Sequence, residues 1–302
     1  MDYLNFFTSN KFIIVSLFYV LSTFIVTLGK LFFDLLITKN KELSNYNIYL
    51  SFVPIVGLFI FGNILVGLNF FINLNSQFVV IFLLTIFIIA FFKNFKIIRN
   101  FYIFYFNITV LLISSTNIGI SKDASLYHLQ NQAWIRDEKI VFGLSNLNPY
   151  IGYSSIMEYI NSLFWMSNNY IFVHLVSLIV FGSLFEIVFK LINASSSYLN
   201  NLGYIFLVVG FFDNIGFAGG RNGFIFIQET FKYDHIFAVI SLAIILLFFI
   251  LIKSKDDKSG LNLLFLCIVF GLQIRFIGHL FFGLVITLLF VNKYKIDFKK
   301  NI

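Results

Sequence analysis

Apolar runs of bilayer length alternate with short polar stretches along nearly the whole chain. Nine runs stand out, at about 12–37, 48–72, 77–93, 101–117, 170–192, 200–217, 235–253, 261–275 and 277–293. An α-helix needs roughly 18–20 apolar residues to cross a hydrocarbon core of ~30 Å. The pattern predicts an all-α polytopic membrane protein of about nine transmembrane helices, a single integral membrane domain over 1–302. The runs at 77–93 and 101–117 sit near the lower length limit. The 261–275 run is shorter still, which predicts a broken or re-entrant segment, tolerated at membrane depth only beside protein or a wet cavity.

One stretch departs from the alternation. Residues 118–169 form a polar insert that includes "SKDASLYHLQNQAWIRDEK". Asp123 stands at the N-cap of a helix predicted to run to about Asp137. Helical spacing places Asp123, Tyr127 and Asn131 on one face and His128, Gln132 and Arg136 on the adjacent one, with Leu126, Leu129 and Ala133 supplying apolar contact. Gly143, Pro149 and Gly152 then mark a structured turn. The segment "SSIMEYINSLFWM" at 154–166 is too short for a tenth span and is interrupted by Glu158 and Asn161. It reads as an amphipathic helix lying in the outer interface, with Trp165 at headgroup level.

Composition strengthens the membrane reading. The chain is 59% hydrophobic and only 12% charged, with 44 Phe in 302 residues, whereas a soluble domain carries roughly 25% charged residues. The net charge of +7 does not indicate a nucleic-acid partner, because no basic stripe with interleaved aromatics lies outside the spans. It fits loop asymmetry instead. Of the 21 Lys and Arg residues, thirteen lie in one alternate set of loops, seven lie in the other, and Lys30 is inside a span. The richer set is predicted cytoplasmic, so the N-terminus and the 118–169 insert are expected outside. The N-terminal "MDYLNFFTSNK" has neither a basic n-region nor a small-residue cleavage site, so the first span is expected to insert the chain. The single Cys267 lies in an apolar run and forms no internal disulfide.

The insert resembles a family of bacterial polytopic membrane proteins, of unassigned activity, related to the GT-C superfamily of membrane glycosyltransferases. The resemblance rests on "DASLYHLQ" with Trp134, on "VFGLSNL" and on "GYSS", about 35 residues in all. Ser125 and Ser145 stand where the family has glycines, and Tyr150 where it has a base. The resemblance implies a GT-C-like fold in the bacterial inner (cell) membrane, with the insert on the outer face. It implies a sugar donor carried on a polyprenyl phosphate, a saccharide or lipid acceptor, and inverting transfer in cell-envelope polysaccharide or glycolipid assembly. Asp123 matches the carboxylate that serves as general base. Tyr127, His128, Gln130, Asn131 and Asn146 are expected to shape the sugar and acceptor site. A helix cap alone also accounts for Asp123, and pattern does not separate the two roles.

Other polar groups fall on the same predicted face. Gly219, Gly220 and Gly223 surround Arg221 in a possible anion nest. Asp234 and His235 open the seventh span, where a carboxylate is favoured by the helix dipole. Arg275 and His279 bracket the last two runs. A cation at that depth costs ~2.5–3.5 kcal/mol and normally faces a partner or cavity, so Arg275 is a candidate for holding a lipid phosphate. No metal-ligand spacing, Gly-x-Ser-x-Gly or Walker-type loop occurs, and no metal or cofactor is expected. A transporter or flippase, or a non-catalytic scaffold for lipid-linked saccharides, is the rival expectation.

Overall fold

The computed structural model describes residues 3–37, 45–114, 119–120, 124–143, 146, 149, 155–164, 171–194, 196–214, 229–230, 233–253 and 258–290. The described chain is helical apart from connecting turns and a two-residue parallel bridge, in which Gly119 pairs with Glu229 and Ile120 with Thr230. Three helical runs among the described residues are long and apolar enough to cross a membrane: Val15–Leu36, Gln77–Leu112 and Asp234–Lys253. Shorter apolar helices cover Val53–Asn69, Lys258–Ile274 and Phe276–Phe290. Length and apolar character therefore single out fewer crossings than the nine runs of the sequence.

Helix α1 (Tyr3–Leu36) starts well before the predicted span. It packs antiparallel on α3 (Val53–Asn69), which follows the short α2 (Tyr46–Leu50). The two backbones touch at glycines. A Cβ on Gly29 would lie 2.0 Å from the Val53 carbonyl oxygen, and one on Gly57 would lie 2.0 Å from that of Ile25. Phe24 meets Phe61 edge-on further along the crossing.

The apolar stretch 77–112 is a hairpin, and α1 provides the ruler. Helix α4 (Gln77–Asn94) brings Phe87 against Phe24, and the Asn94 amide then donates to the Thr27 carbonyl at 3.3 Å. A 3-10 segment, Phe95–Phe101, follows. Along α5 (Tyr102–Ser114) the contacts return to Thr23 through Tyr105 and to Tyr19 through Thr109. Contacts that climb α1 and then descend it require the chain to reverse between 94 and 102. The separate runs at 77–93 and 101–117 are thus two legs, as their spacing predicts. Only Val79 and Ala90 of α4 are buried, while Phe78, Ile81, Ile88 and Phe92 are exposed. An apolar helix with an uncovered apolar flank suits contact with lipid.

The second half repeats the alternation. Helix α8 (Ile171–Ile192) runs back along α5, with Gly182 against Ile108 and Phe104. Helix α9 (Ser197–Asn214) turns up beside α8, and α10 (Asp234–Lys253) and α11 (Lys258–Ile274) form a further pair. The eighth run is neither broken nor re-entrant. It is one regular helix of 17 residues whose start extends to Lys258, which restores length to about 25 Å. The last element, α12 (Phe276–Phe290), opens as a 3-10 turn and doubles back on α11, with Gly278 against Gly271 and Phe282 against Phe265.

Between the two halves lie α6 (Leu129–Asp137), preceded by a π turn at Ala124–His128, and α7 (Ile156–Ser162). Both sit at the end of the bundle formed by Asn69–Asn75, Tyr233–His235 and Gln273–Arg275. The opposite end carries Lys93, Lys96, Arg99, Lys190, Lys253 and Lys258.

Candidate functional site

The insert is pinned to the bundle by carboxamides. Asn69, at the end of α3, is fully buried and donates through Nδ2 to the carbonyls of Ile135 (3.0 Å) and Glu138 (2.9 Å). The Ile140 amide donates back to the Asn69 carbonyl, and the Asn75 amide to the Arg136 carbonyl, both at 3.0 Å. Asn75 Nδ2 also reaches Asp137 Oδ1 at 2.9 Å. Two donors from Arg136 (2.8 Å each), with Asn75 beside them, hold the Asp137 carboxyl below its ordinary value. One asparagine thus supplies two of the free carbonyls at the C-terminus of α6 with donors.

Helix α6 is turned the opposite way from the sequence expectation. Its polar face is inside: His128, Asn131 and Gln132 are buried, whereas Leu126 is 62% and Trp134 41% exposed. The reason is the company on the inner side. Helix α7 was expected to lie in the interface, but Ile156, Met157, Glu158, Ile160, Asn161 and Ser162 are all buried. Trp165 lies outside the described residues. Gly62 of α3 permits the approach, since any Cβ there would sit 2.7 Å from Ile156. Ser155 caps α7, its hydroxyl accepting from the Met157 amide at 3.3 Å. Glu158 stands at the third position, where the spacing would allow a capping box, but its side chain turns to His128 instead.

These faces close on one another as a polar core. His128 Nδ1 and Glu158 Oε1 are in short contact, both nearly fully buried. The Tyr233 ring meets the His128 ring edge-on at 4.9 Å, and the Tyr127 ring lies tilted against it at 4.1 Å. The Tyr233 hydroxyl accepts from Gln132 Nε2 (3.0 Å) and Asn161 Nδ2 (3.3 Å). Burial, and then the Glu158 carboxylate, push this phenol well above the ordinary tyrosine value. It therefore stays protonated and keeps an O–H that can donate a hydrogen bond. Glu158 Oε2 and Asn161 Oδ1 are buried with no hydrogen-bond partner among the described residues. Ser155 and the reciprocal amide pair of Asn63 with Gln273 (3.1 and 2.8 Å) tie the core to α3 and α11.

The residues singled out from the sequence divide three ways. His128 and Asn131 are in the core and Tyr127 borders it. Gln130 and Asn146 are exposed, and the Asn146 amide closes a turn onto Gly143 at 2.9 Å. Asp123 and Arg221 lie outside the described residues. At the start of α10, Asp234 pairs with Arg275 at 2.5 Å, both well exposed, so the cation near the last two runs has found a carboxylate. His279 is exposed, with Nδ1 2.8 Å from the Phe276 carbonyl. Glu158, Asn161 and Tyr233 escaped the sequence reading. Their signal was present in part: Glu158 and Asn161, at i and i+3, were the two polar breaks in an apolar segment.

Fold and site together define an all-helical protein with helices of membrane-crossing character and a buried polar core at one end. The chain belongs to the family described as Domain of unknown function (DUF8201), which matches residues 11–302. No curated protein and no solved structure matches the chain. Among the described residues no group of three or more His, Cys, Asp or Glu side chains is arranged to hold a metal ion.

Proposed function

We propose that the chain crosses the bacterial inner membrane nine times and acts there as a GT-C-like glycosyltransferase, with the insert on the outer face. An acceptor hydroxyl attacks the anomeric carbon of a sugar carried on polyprenyl phosphate. Asp123 takes the hydroxyl proton, and the lipid phosphate leaves with the bonding electrons, inverting the centre. The observation that carries this reading is the buried His128–Glu158–Tyr233 core beside the turn that follows Asp123. A buried ionisable pair is poor stabilisation, since its desolvation cost of several kcal/mol rivals its attraction. Holding the turn at Ala124–His128, which follows Asp123 in the sequence, in one position is a reason to retain it.

The alternating helix directions and the lysines gathered at the far end support the expected sidedness. Arg275 enters as a positioning group already balanced by Asp234. The sealing of the polar core favours a second reading, a non-catalytic scaffold for lipid-linked saccharides, because Gln132 and Glu158 are 0% and 1% exposed. Transfer of radiolabelled sugar from a polyprenyl-linked donor in membranes separates the two. The transferase reading expects activity in wild type and its loss in Asp123→Asn. Equal transfer by both proteins, or none by wild type, refutes it.

A further inference from the structure

The end of the bundle opposite the insert holds a cleft of about 900 Å³ that the transferase reading does not use. It opens where the entry to α2, the 3-10 turn between α4 and α5, and the end of α8 meet. Its walls carry two cations, Arg99 and Lys190, and its polar lining is otherwise carboxamide and hydroxyl, chiefly Asn45, Asn100, Asn193 and Ser196. Among the described residues no Asp or Glu lines it. Its apolar wall is Tyr102 packed edge-on against Phe189, ring centroids 6.4 Å apart.

The two cations are held differently. Lys190 Nζ lies 3.4 Å from Glu186 Oε1, one turn back on α8. Glu186 is itself fully buried and accepts the Phe104 amide through its other oxygen at 3.0 Å. That carboxylate is anchored behind the wall, so it fixes the ammonium at the cleft surface without entering the cleft. Arg99 has no ion-pair partner among the described residues and is exposed. A planar guanidinium fork, a point ammonium and several N–H donors, with no carboxylate among the described lining residues, suit one ligand group above others. That group has three or more acceptor oxygens and one to two negative charges.

We propose that this cleft binds the phosphoryl group of a phosphate monoester, with Arg99 and Lys190 as its two cationic contacts. The rest of the ligand lies along Tyr102 and Phe189. A basic pocket between helix ends can take such a group from a lipid headgroup or from a soluble ester. The site is independent of the transferase reading, and Asp123→Asn leaves it intact.

The test uses the full chain in phosphatidylcholine nanodiscs. In one arm tritiated glycerol 3-phosphate is titrated in; in the other the nanodiscs carry increasing phosphatidic acid and bound lipid is counted by native mass spectrometry. Saturable binding of one equivalent is expected in at least one arm. Binding in the first identifies a soluble ester, and binding only in the second identifies a lipid headgroup. Arg99→Gln weakens it about ten-fold, as the loss of one charge-assisted contact implies. Lys253→Gln, at the same end but stacked on Tyr198 at 5.0 Å outside the cleft, leaves it unchanged. Lys190→Gln strips Glu186 of its counter-charge and can unfold the protein, so Arg99→Gln is the deciding variant. No saturable binding in either arm, or wild-type affinity in Arg99→Gln, overturns the proposal.

Discussion

At the scale of single residues, the His128–Glu158 contact governs what the insert can tolerate. Each side chain satisfies the other in a region with little water, so removing one strands its partner. Glu158→Leu and His128→Leu are each expected to cost about 3–5 kcal/mol, while the double variant costs less than either single one. Unfolding in detergent followed by circular dichroism measures all three; strictly additive losses would mean that the two groups do not act as a pair. Asp137 behaves differently because it is near the surface. Its carboxyl is held below the ordinary 3.8 by Arg136. A depressed folded value means that its stabilisation is present above the unfolded value and is lost as pH falls through the folded one. Asp137→Asn should therefore lower the melting temperature near neutrality, flatten the acid limb of the profile below pH ~4 and converge on wild type at its acid end.

At the scale of elements, two glycines decide how closely α1 and α3 cross. Small residues at such crossings let helix backbones approach where lipid and protein are equally apolar. Gly29→Ala and Gly57→Ala each place a Cβ 2.0 Å from a carbonyl oxygen. Each is expected to lower stability by about 1–3 kcal/mol. Gly67, on the same helix α3, has open space at its Cβ position. Gly67→Ala should be neutral or stabilising by up to about 1 kcal/mol through helix propensity. Thermal melts of the three variants in one detergent compare them directly, and equal shifts would show that the crossing is not backbone-tight. The helices themselves were legible from hydropathy, including the hairpin at 77–93 and 101–117. The burial of α7 was not. An apolar segment with two polar breaks has the same composition whether it lies in an interface or plugs a bundle, and only the presence of His128 and Tyr233 opposite those breaks distinguishes the cases.

At the scale of the whole molecule, the long helices alternate in direction along the chain, and polar groups sort to two ends. The buried carboxamides Asn69, Asn131, Gln132 and Asn161, with Asp234 and the insert, occupy one end, and most described lysines the other. If the lysine-rich end is cytoplasmic, a cysteine at Lys139 should react with a membrane-impermeant maleimide in intact cells. A cysteine at Lys96 should react only after permeabilisation. Both positions are exposed, and the native Cys267 is buried, so background labelling is low. The reverse pattern would invert the orientation and put the insert, with Asp123, on the cytoplasmic side.

What the sequence by itself determined is the helical character of the chain, the place of the polar insert and the charge difference between alternate loops. These are properties of segments, set by local composition and chain length. The tertiary structure alone decided which way each segment faces. Helix α4 is apolar all round, so nothing in its residues says which flank meets α1. Helix α6 has a clear polar face, yet that face is buried. Its partners come from Glu158, 30 residues on, and Tyr233, 101 residues from Gln132. In an apolar environment a polar face turns toward whichever groups can satisfy it, and those groups became neighbours only when the bundle closed.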